Sequence, residues 1–84
     1  MGGNGIDERC LTEIWVPQLS LSIDAKISKD VAIEDIGETV LKRFNADFSA
    51  FTVMSAVNER ELHPEKTLAE EDIRRGDRLL ILFE

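Results

Sequence analysis

The sequence predicts a single α+β domain in which one helix packs against a mixed sheet of four to five strands. Three features support this prediction: a period-two apolar pattern near the N-terminus, a helical pattern in the middle, and two later apolar β-prone runs. A chain of 84 residues is long enough for one small hydrophobic core. We therefore expect one domain over residues 10–84, preceded by a flexible, glycine-rich tail over residues 1–9.

The first two predicted strands form a hairpin. The β-prone run from Cys10 to Val16 is followed by Pro17, which ends a strand because proline cannot donate a ladder hydrogen bond. From Leu19 to Ile27, apolar residues alternate with serine, aspartate and lysine, the pattern of a strand with one buried face. The short break between the two runs favours antiparallel pairing.

A helix is predicted over residues 31–44, where apolar residues recur at helical spacing. Acidic side chains occupy its first turns, and Lys42 and Arg43 occupy the last, an order that suits the helix dipole. Gly37 is the weak position, at a cost of ~1 kcal/mol relative to alanine unless a close contact requires it. The predicted apolar stripe consists of Ile33, Ile36, Val40 and Phe44, with Leu41 beside it.

The next apolar run, from Phe51 to Val57, predicts a third strand because its residues favour β structure. The polar segment 58–61 predicts a turn. After it, Leu62 and His63 predict a short strand stub that Pro64 ends.

A capping box predicts one helical turn over residues 67–72. Thr67 is followed three residues later by Glu70, the spacing at which each side chain accepts a hydrogen bond from the other residue's backbone amide. We expect such a turn to direct Leu68 and Ile73 inward.

The last predicted strand runs from Arg78 to Phe83, after a turn at Gly76. The element order is then β-β-α-β-β plus the short helical turn, and a right-handed connection carries the helix across one face of the sheet. This arrangement is a β-grasp, and it leaves no central cavity for a cofactor. The predicted core combines the helix stripe, Leu79 and Ile81 with the inner face of the hairpin: Leu21, Ile23, Ala25 and Ile27.

Composition and charge argue against several classes of partner. The formal net charge of −7 opposes binding to nucleic acid and to anionic membrane surfaces. No apolar run approaches the ~20 residues that span a bilayer, and no N-terminal leader precedes the domain, so we expect no membrane insertion. Cys10 is the single cysteine and cannot form an intramolecular disulfide. A reducing compartment follows, and we expect a cytoplasmic protein.

The residues that could carry catalysis do not form a recognisable constellation. His63 and Cys10 lie on distant predicted elements with no third group to orient them, so we expect a strand-edge histidine and a packed thiol. Two acidic clusters lack the oxygen spacing and the glycine of a calcium loop, and we expect them to be solvated helix faces. These clusters are Glu34, Asp35 and Glu38, and Glu70, Glu71 and Asp72. The sequence thus predicts a non-enzymatic protein without catalytic, cofactor-binding or metal-binding residues.

The block from Leu62 to Leu82 resembles the corresponding part of ubiquitin in the spacing of its apolar residues, above all from Thr67 to Ile73. Within the ubiquitin-like proteins, segments 68–70 and 73–79 are most similar to the YukD group, small ubiquitin-like components of bacterial type VII secretion. This resemblance implies a ubiquitin-like β-grasp fold and an accessory role in such a secretion system.

A second resemblance keeps another role open. Residues 61–64, the chain length and the ending in Phe83 and Glu84 are similar to the small β-grasp subunit of bacterial toluene monooxygenases. The alternative function is therefore a non-catalytic subunit of a multicomponent oxygenase. Conjugated ubiquitin-like modifiers and sulfur carriers end in Gly-Gly, whereas Gly2 and Gly3 lie at the other end of this sequence. We expect neither conjugation nor sulfur transfer.

The candidate protein-binding residues are Leu80, Leu82, Met54 and Ala56. If Leu79 and Ile81 face the helix, strand alternation directs the other two leucines of this strand to the open face of the sheet. The third strand adds apolar residues there, and ubiquitin uses this same face. Exposed apolar patches mark protein contacts, so we expect a larger protein partner. The alternative is that the N-terminal tail or Trp15 covers the face.

Overall fold

The computed structural model describes residues 9–84. Within this range the elements are β1 (Arg9–Val16), β2 (Leu21–Ser28), α1 (Ile33–Arg43), β3 (Phe51–Ser55), β4 (Arg60–Glu61) and β5 (Arg78–Phe83). These strands form one mixed sheet in the order β2-β1-β5-β3-β4, with β1 and β5 parallel and the other neighbours antiparallel. The predicted α+β architecture is confirmed, with five strands in the described part of the chain.

β1 and β2 form the predicted hairpin, in a continuous register that starts with Arg9 opposite Ser28. β1 therefore begins one residue before the predicted domain boundary, and the predicted tail otherwise lies outside the described residues. The connection is a 3₁₀ turn, Pro17–Leu19, so β2 begins at Leu21 and not at the predicted residue 19. Proline fits the first position of such a turn because its missing N–H would have no partner there.

α1 is shorter than predicted and buries a different residue in its last turn. Leu41 is fully buried, whereas Phe44 is 37% exposed. The predicted stripe is wrong at Phe44 because the helix ends at Arg43 and Phe44 leaves the helical path, with φ −100° and ψ 16°. The charge order of the helix is confirmed: Lys42 Nζ donates a hydrogen bond to Glu38 Oε1 at 2.8 Å, and both ends complement the helix dipole.

Gly37 of α1 packs against the Phe51 ring of β3. A Cβ atom at this position would lie 2.3 Å from Cε2 of Phe51, well inside van der Waals contact. The Phe51 ring packs edge-to-face against Phe48, with 5.7 Å between the ring centroids. The close contact that justifies a helical glycine is therefore present, and it compensates for the ~1 kcal/mol that glycine costs in a helix.

β4 begins at Arg60, before the predicted strand stub at Leu62 and His63. Arg60 lies opposite Ser55 and Glu61 lies opposite Met54, so part of the predicted turn 58–61 is strand. The turn between the two strands is short because Glu59 adopts a left-handed φ of 52°, which allows the chain to reverse direction within a few residues. The predicted stub residue Leu62 follows β4 and is buried at 2% exposure.

The segment after β4 makes the predicted capping-box hydrogen bonds without forming a helix. The Thr67 N–H donates to Glu70 Oε1 at 3.0 Å, and the Glu70 N–H donates to Thr67 Oγ1 at 3.1 Å. The chain continues in turns because Asp72 adopts a φ of 58°, which a right-handed helix cannot accommodate. Leu68 and Ile73 are buried, as predicted.

The hydrophobic core lies between α1 and the sheet. Leu79 and Ile81 of the central strand β5 are fully buried in it, together with Ile14 and Leu41. The inner face of β2 is only half-buried, because β2 is an edge strand and α1 leaves a groove of about 600 Å³ beside it. These side chains therefore pack against the core as predicted, but they are less buried than the prediction implies.

Candidate protein-binding face

The side of the sheet that faces away from α1 is the open sheet face. On β5, Leu79 and Ile81 are buried in the core, whereas Leu80 is half-buried and Leu82 is 39% exposed. The strand therefore has the predicted orientation, with Leu80 and Leu82 on the open sheet face. On β1, the same alternation directs Trp15 to this face.

An apolar row crosses the middle of the open sheet face. Trp15 lies opposite Leu80 in the β1–β5 pair, and Met54 lies opposite Leu80 in the β3–β5 pair. The row ends in polar residues at the two edges of the sheet, Ser22 on β2 and Glu61 on β4. The row and the neighbouring leucine together form the apolar patch: Trp15, Met54, Leu80 and Leu82.

Three of the four predicted contact residues share the apolar patch. The fourth, Ala56, is exposed just beyond the end of β3, where its N–H donates to the Arg78 carbonyl at 2.8 Å. Trp15, predicted only as a possible cover for this face, is 42% exposed and forms part of the patch. The sequence does carry a signal for this orientation, because Trp15 shares one side of the strand with the charged Glu13, whereas Ile14 and Val16 occupy the other side.

An ion pair borders the apolar patch. Arg78 Nε donates to Glu13 Oε1 at 2.6 Å, and Ser22 Oγ donates to Glu13 Oε2 at 2.9 Å. These hydrogen bonds, the one from Arg78 first, lower the pKa of the Glu13 carboxyl. The Arg78 guanidinium carbon also lies 5.6 Å from the centre of the Trp15 ring, a cation–π distance. The tryptophan ring is thus held in place at the border of the patch.

A cluster of polar side chains around one buried carboxylate joins β4 to the turn after it. Glu71, predicted to lie on a solvated face, is only 4% exposed, so that prediction is wrong for this residue. Its Oε2 accepts a hydrogen bond from the His63 N–H at 2.5 Å and lies 3.3 Å from His63 Nδ1. Arg60 Nη1 donates to Glu71 Oε1 at 3.2 Å, and Arg60 Nη2 donates to the Glu71 carbonyl at 2.7 Å.

Both oxygens of the Glu71 carboxylate accept hydrogen bonds. Burial raises the pKa of this carboxyl, but the hydrogen bonds from the His63 amide, from Arg60 and from the His63 ring outweigh burial, so the pKa lies below its ordinary value. These hydrogen bonds connect β4 and the residues after it to the turn that contains Glu71.

The two residues considered for catalysis, Cys10 and His63, lie on separate parts of the structure. Cys10 is buried at 1% exposure in β1, as expected of a packed thiol, whereas His63 contacts Glu71 beyond the far end of the sheet. Within residues 9–84, no group of three or more His, Cys, Asp or Glu side chains is placed to hold a metal ion. In the same range, no helix is long and apolar enough to cross a membrane.

Comparisons with known proteins identify the fold. No protein-family model matches the sequence, and a search of curated proteins gives no match. Among solved structures, a designed protein based on ubiquitin is 23% identical, with a TM-score of 0.71 over 88% of this chain and 87% of that chain. Ubiquitin of Caldiarchaeum subterraneum is 10% identical, with a TM-score of 0.73 over 90% and 94% of the two chains.

The similarity extends to a domain of a longer protein. The ubiquitin-like domain of Plasmodium falciparum Dsk2 is 10% identical, with a TM-score of 0.72 over 90% of this chain and 99% of that chain. At such identities the comparison shows the fold alone. The chain has a ubiquitin-like β-grasp fold, with one helix packed on a mixed sheet.

Proposed function

We propose that this protein is a non-catalytic interaction module that docks on a larger protein through the open sheet face. The observation that supports the proposal is the apolar patch, in which Trp15 and Leu82 are 42% and 39% exposed. Contiguous exposed apolar surface on a small protein marks a contact site. Tryptophan and methionine are also enriched in protein interfaces.

The surroundings of the apolar patch suit docking. Polar residues at both ends of the apolar row and the Glu13–Arg78 ion pair provide a polar rim around an apolar centre. A tryptophan in such a surface is a frequent source of binding energy. The patch lies on paired strands, so docking orders little additional backbone and its entropic cost is small.

Replacement of Leu82 by aspartate tests the proposal. In affinity capture from the native host followed by mass spectrometry, we expect Leu82→Asp to reduce recovery of the main partner by about tenfold or more, a loss of at least ~1.4 kcal/mol of binding. The reason is that the substitution places a charge in the apolar patch. Backbone amide spectra should show that the fold is retained, because Leu82 is on the surface.

The matched control is Val57→Asp. Val57 is 68% exposed and lies beyond the end of β3, outside the apolar patch, so the chemical change is similar and the position is different. We expect this variant to recover the partner as well as the wild-type protein does. Equal recovery by the Leu82→Asp variant and the wild type would contradict docking through the open sheet face.

We further propose that the module is an accessory component of a bacterial type VII secretion system and acts in the cytoplasm. The similarity of segments 68–70 and 73–79 to the YukD group supports this role. Genes for a secretion ATPase and for small helical secreted proteins beside the gene for this chain are the expected observation.

A non-catalytic subunit of a multicomponent oxygenase is the second candidate. The similarity of residues 61–64 to the small β-grasp subunit of toluene monooxygenases supports it. Neighbouring oxygenase and ferredoxin genes, and capture of an oxygenase subunit in the experiment above, are the expected observations for this role. Either outcome is compatible with docking through the open sheet face, because both roles require a larger protein partner.

A further inference from the structure

We propose that β2 pairs with β2 of a second copy of the chain, so that two molecules form a symmetric dimer with a continuous sheet. In the sheet formed by residues 9–84, β2 is an edge strand of eight residues in a continuous register with β1. An edge strand presents unpaired backbone N–H and C=O groups that can accept another strand. The opposite edge, β4, has only two residues and offers a far shorter template.

The residue order of β2 is symmetrical in the way that such a dimer requires. In an antiparallel pairing centred on Ala25, Asp24 of each copy lies directly opposite Lys26 of the other. Both side chains are exposed in the single chain. The dimer therefore gains two cross-strand pairs of opposite charge, each of which stabilises an antiparallel sheet.

The same two charges disfavour the neighbouring registers. A shift that keeps the apolar sides of both strands on the same face moves the centre of the pairing by one residue. Centred on Asp24, the pairing places two aspartates opposite each other, and centred on Lys26 it places two lysines opposite each other. Like charges directly opposite one another destabilise a sheet. The charge pattern thus selects the register centred on Ala25.

The helix-facing side of β2 gains burial in this register. Ile23 and Ile27 are half-buried and line the groove of about 600 Å³ between β2 and α1. Ile23 of one copy lies opposite Ile27 of the other, so the grooves of the two copies meet at the two-fold axis. The interface is isologous, as expected of a homodimer. The apolar patch is on the other side of the sheet and stays free for the proposed docking.

A charge-swap series tests the dimer by sedimentation equilibrium of the full chain over a range of concentrations. We expect the wild type to dimerise with increasing concentration. Asp24→Lys and Lys26→Asp should each weaken dimerisation by about tenfold or more, because each places like charges opposite one another at two positions. The double variant D24K/K26D restores both opposite-charge pairs and should recover the wild-type dimer, as should an equimolar mixture of the two single variants.

Two control variants separate pairing from a general effect of charge. Glu61→Lys makes the same change in net charge as Asp24→Lys on the opposite edge of the sheet, and Lys66→Asp makes the same change as Lys26→Asp at an exposed loop position. Both controls should dimerise like the wild type. A monomer at every concentration, a dimer that the single variants do not weaken, or a double variant that remains monomeric would overturn the proposal, as would equal weakening by the controls.

Discussion

Replacement of Glu71 by alanine lowers the free energy of unfolding by about 2–4 kcal/mol, measured by urea denaturation. The reason is that Glu71 is 4% exposed and accepts hydrogen bonds from the His63 amide at 2.5 Å and from Arg60 at 3.2 Å. Alanine leaves the amide without its acceptor and the guanidinium without its counter-charge. The Arg60 side chain is 41% exposed, so water compensates for part of the loss at that end.

The pH dependence of this stabilisation identifies the charge as its source. The pKa of Glu71 is below its ordinary value of 4.5 in the folded protein, so its ionised form stabilises the fold above the pKa of the unfolded chain. That contribution is lost as the pH falls through the lower pKa of the folded state. The difference in stability between the wild type and Glu71→Gln should therefore be full at neutral pH and shrink in acid.

Glu65→Gln is the control for this prediction, because Glu65 is an exposed residue of the same type close to the cluster. We expect it to change the free energy of unfolding by less than ~0.5 kcal/mol. A stability difference for Glu71→Gln that stays constant from neutral pH into acid would contradict an ionised, paired carboxylate at this position.

Replacement of Asp77 by alanine has the second largest expected effect, a loss of about 2–3 kcal/mol in the free energy of unfolding. Asp77 is 5% exposed and immediately precedes β5. Its carboxylate accepts hydrogen bonds from Ser55 Oγ at 3.0 Å and from the Arg78 N–H at 2.6 Å. Its Oδ1 also accepts from the Val57 N–H at 3.4 Å. Alanine removes the acceptor for all three donors at once.

Asp47→Ala is the matched control, since Asp47 is exposed in the loop before β3 and the chemical change is identical. Amide hydrogen exchange gives the local measurement: Asp77→Ala should accelerate exchange at Arg78 and Val57, whereas Asp47→Ala should not. Equal losses of stability in the two variants, with unchanged exchange at these amides, would show that Asp77 does not organise this junction.

Periodicity was sufficient to predict the layers of the fold. The alternation of apolar residues in β2 and their helical spacing in α1 indicate which side of each element faces the core. β5 is apolar on both sides, and the interpretation that Leu79 and Ile81 face the helix is correct because its central position buries one side against α1. Gly37 could be identified as unusual from the sequence, but its contact with Phe51 depends on the three-dimensional approach of two elements.

Two of the errors concern features that leave no clear pattern in the sequence. Glu71 follows Glu70 in an acidic run, and only Glu70 shows a local pattern, the capping box with Thr67. The burial of Glu71 depends on Arg60 and His63, eleven and eight residues away. β4 was misplaced for a local reason, because the reversal before it depends on a left-handed residue, Glu59, that has no strong sequence signal.

The most direct test of docking through the open sheet face is a nuclear magnetic resonance titration of the ¹⁵N-labelled chain with the captured partner. Trp15 is the single tryptophan, so its indole N–H gives one signal that an unlabelled partner cannot obscure. We predict that this signal and the amides of Leu80 and Leu82 shift or broaden, while the amides of α1 stay in place. Perturbations confined to α1 or to the β2 edge, with the Trp15 indole unchanged, would contradict the proposed function.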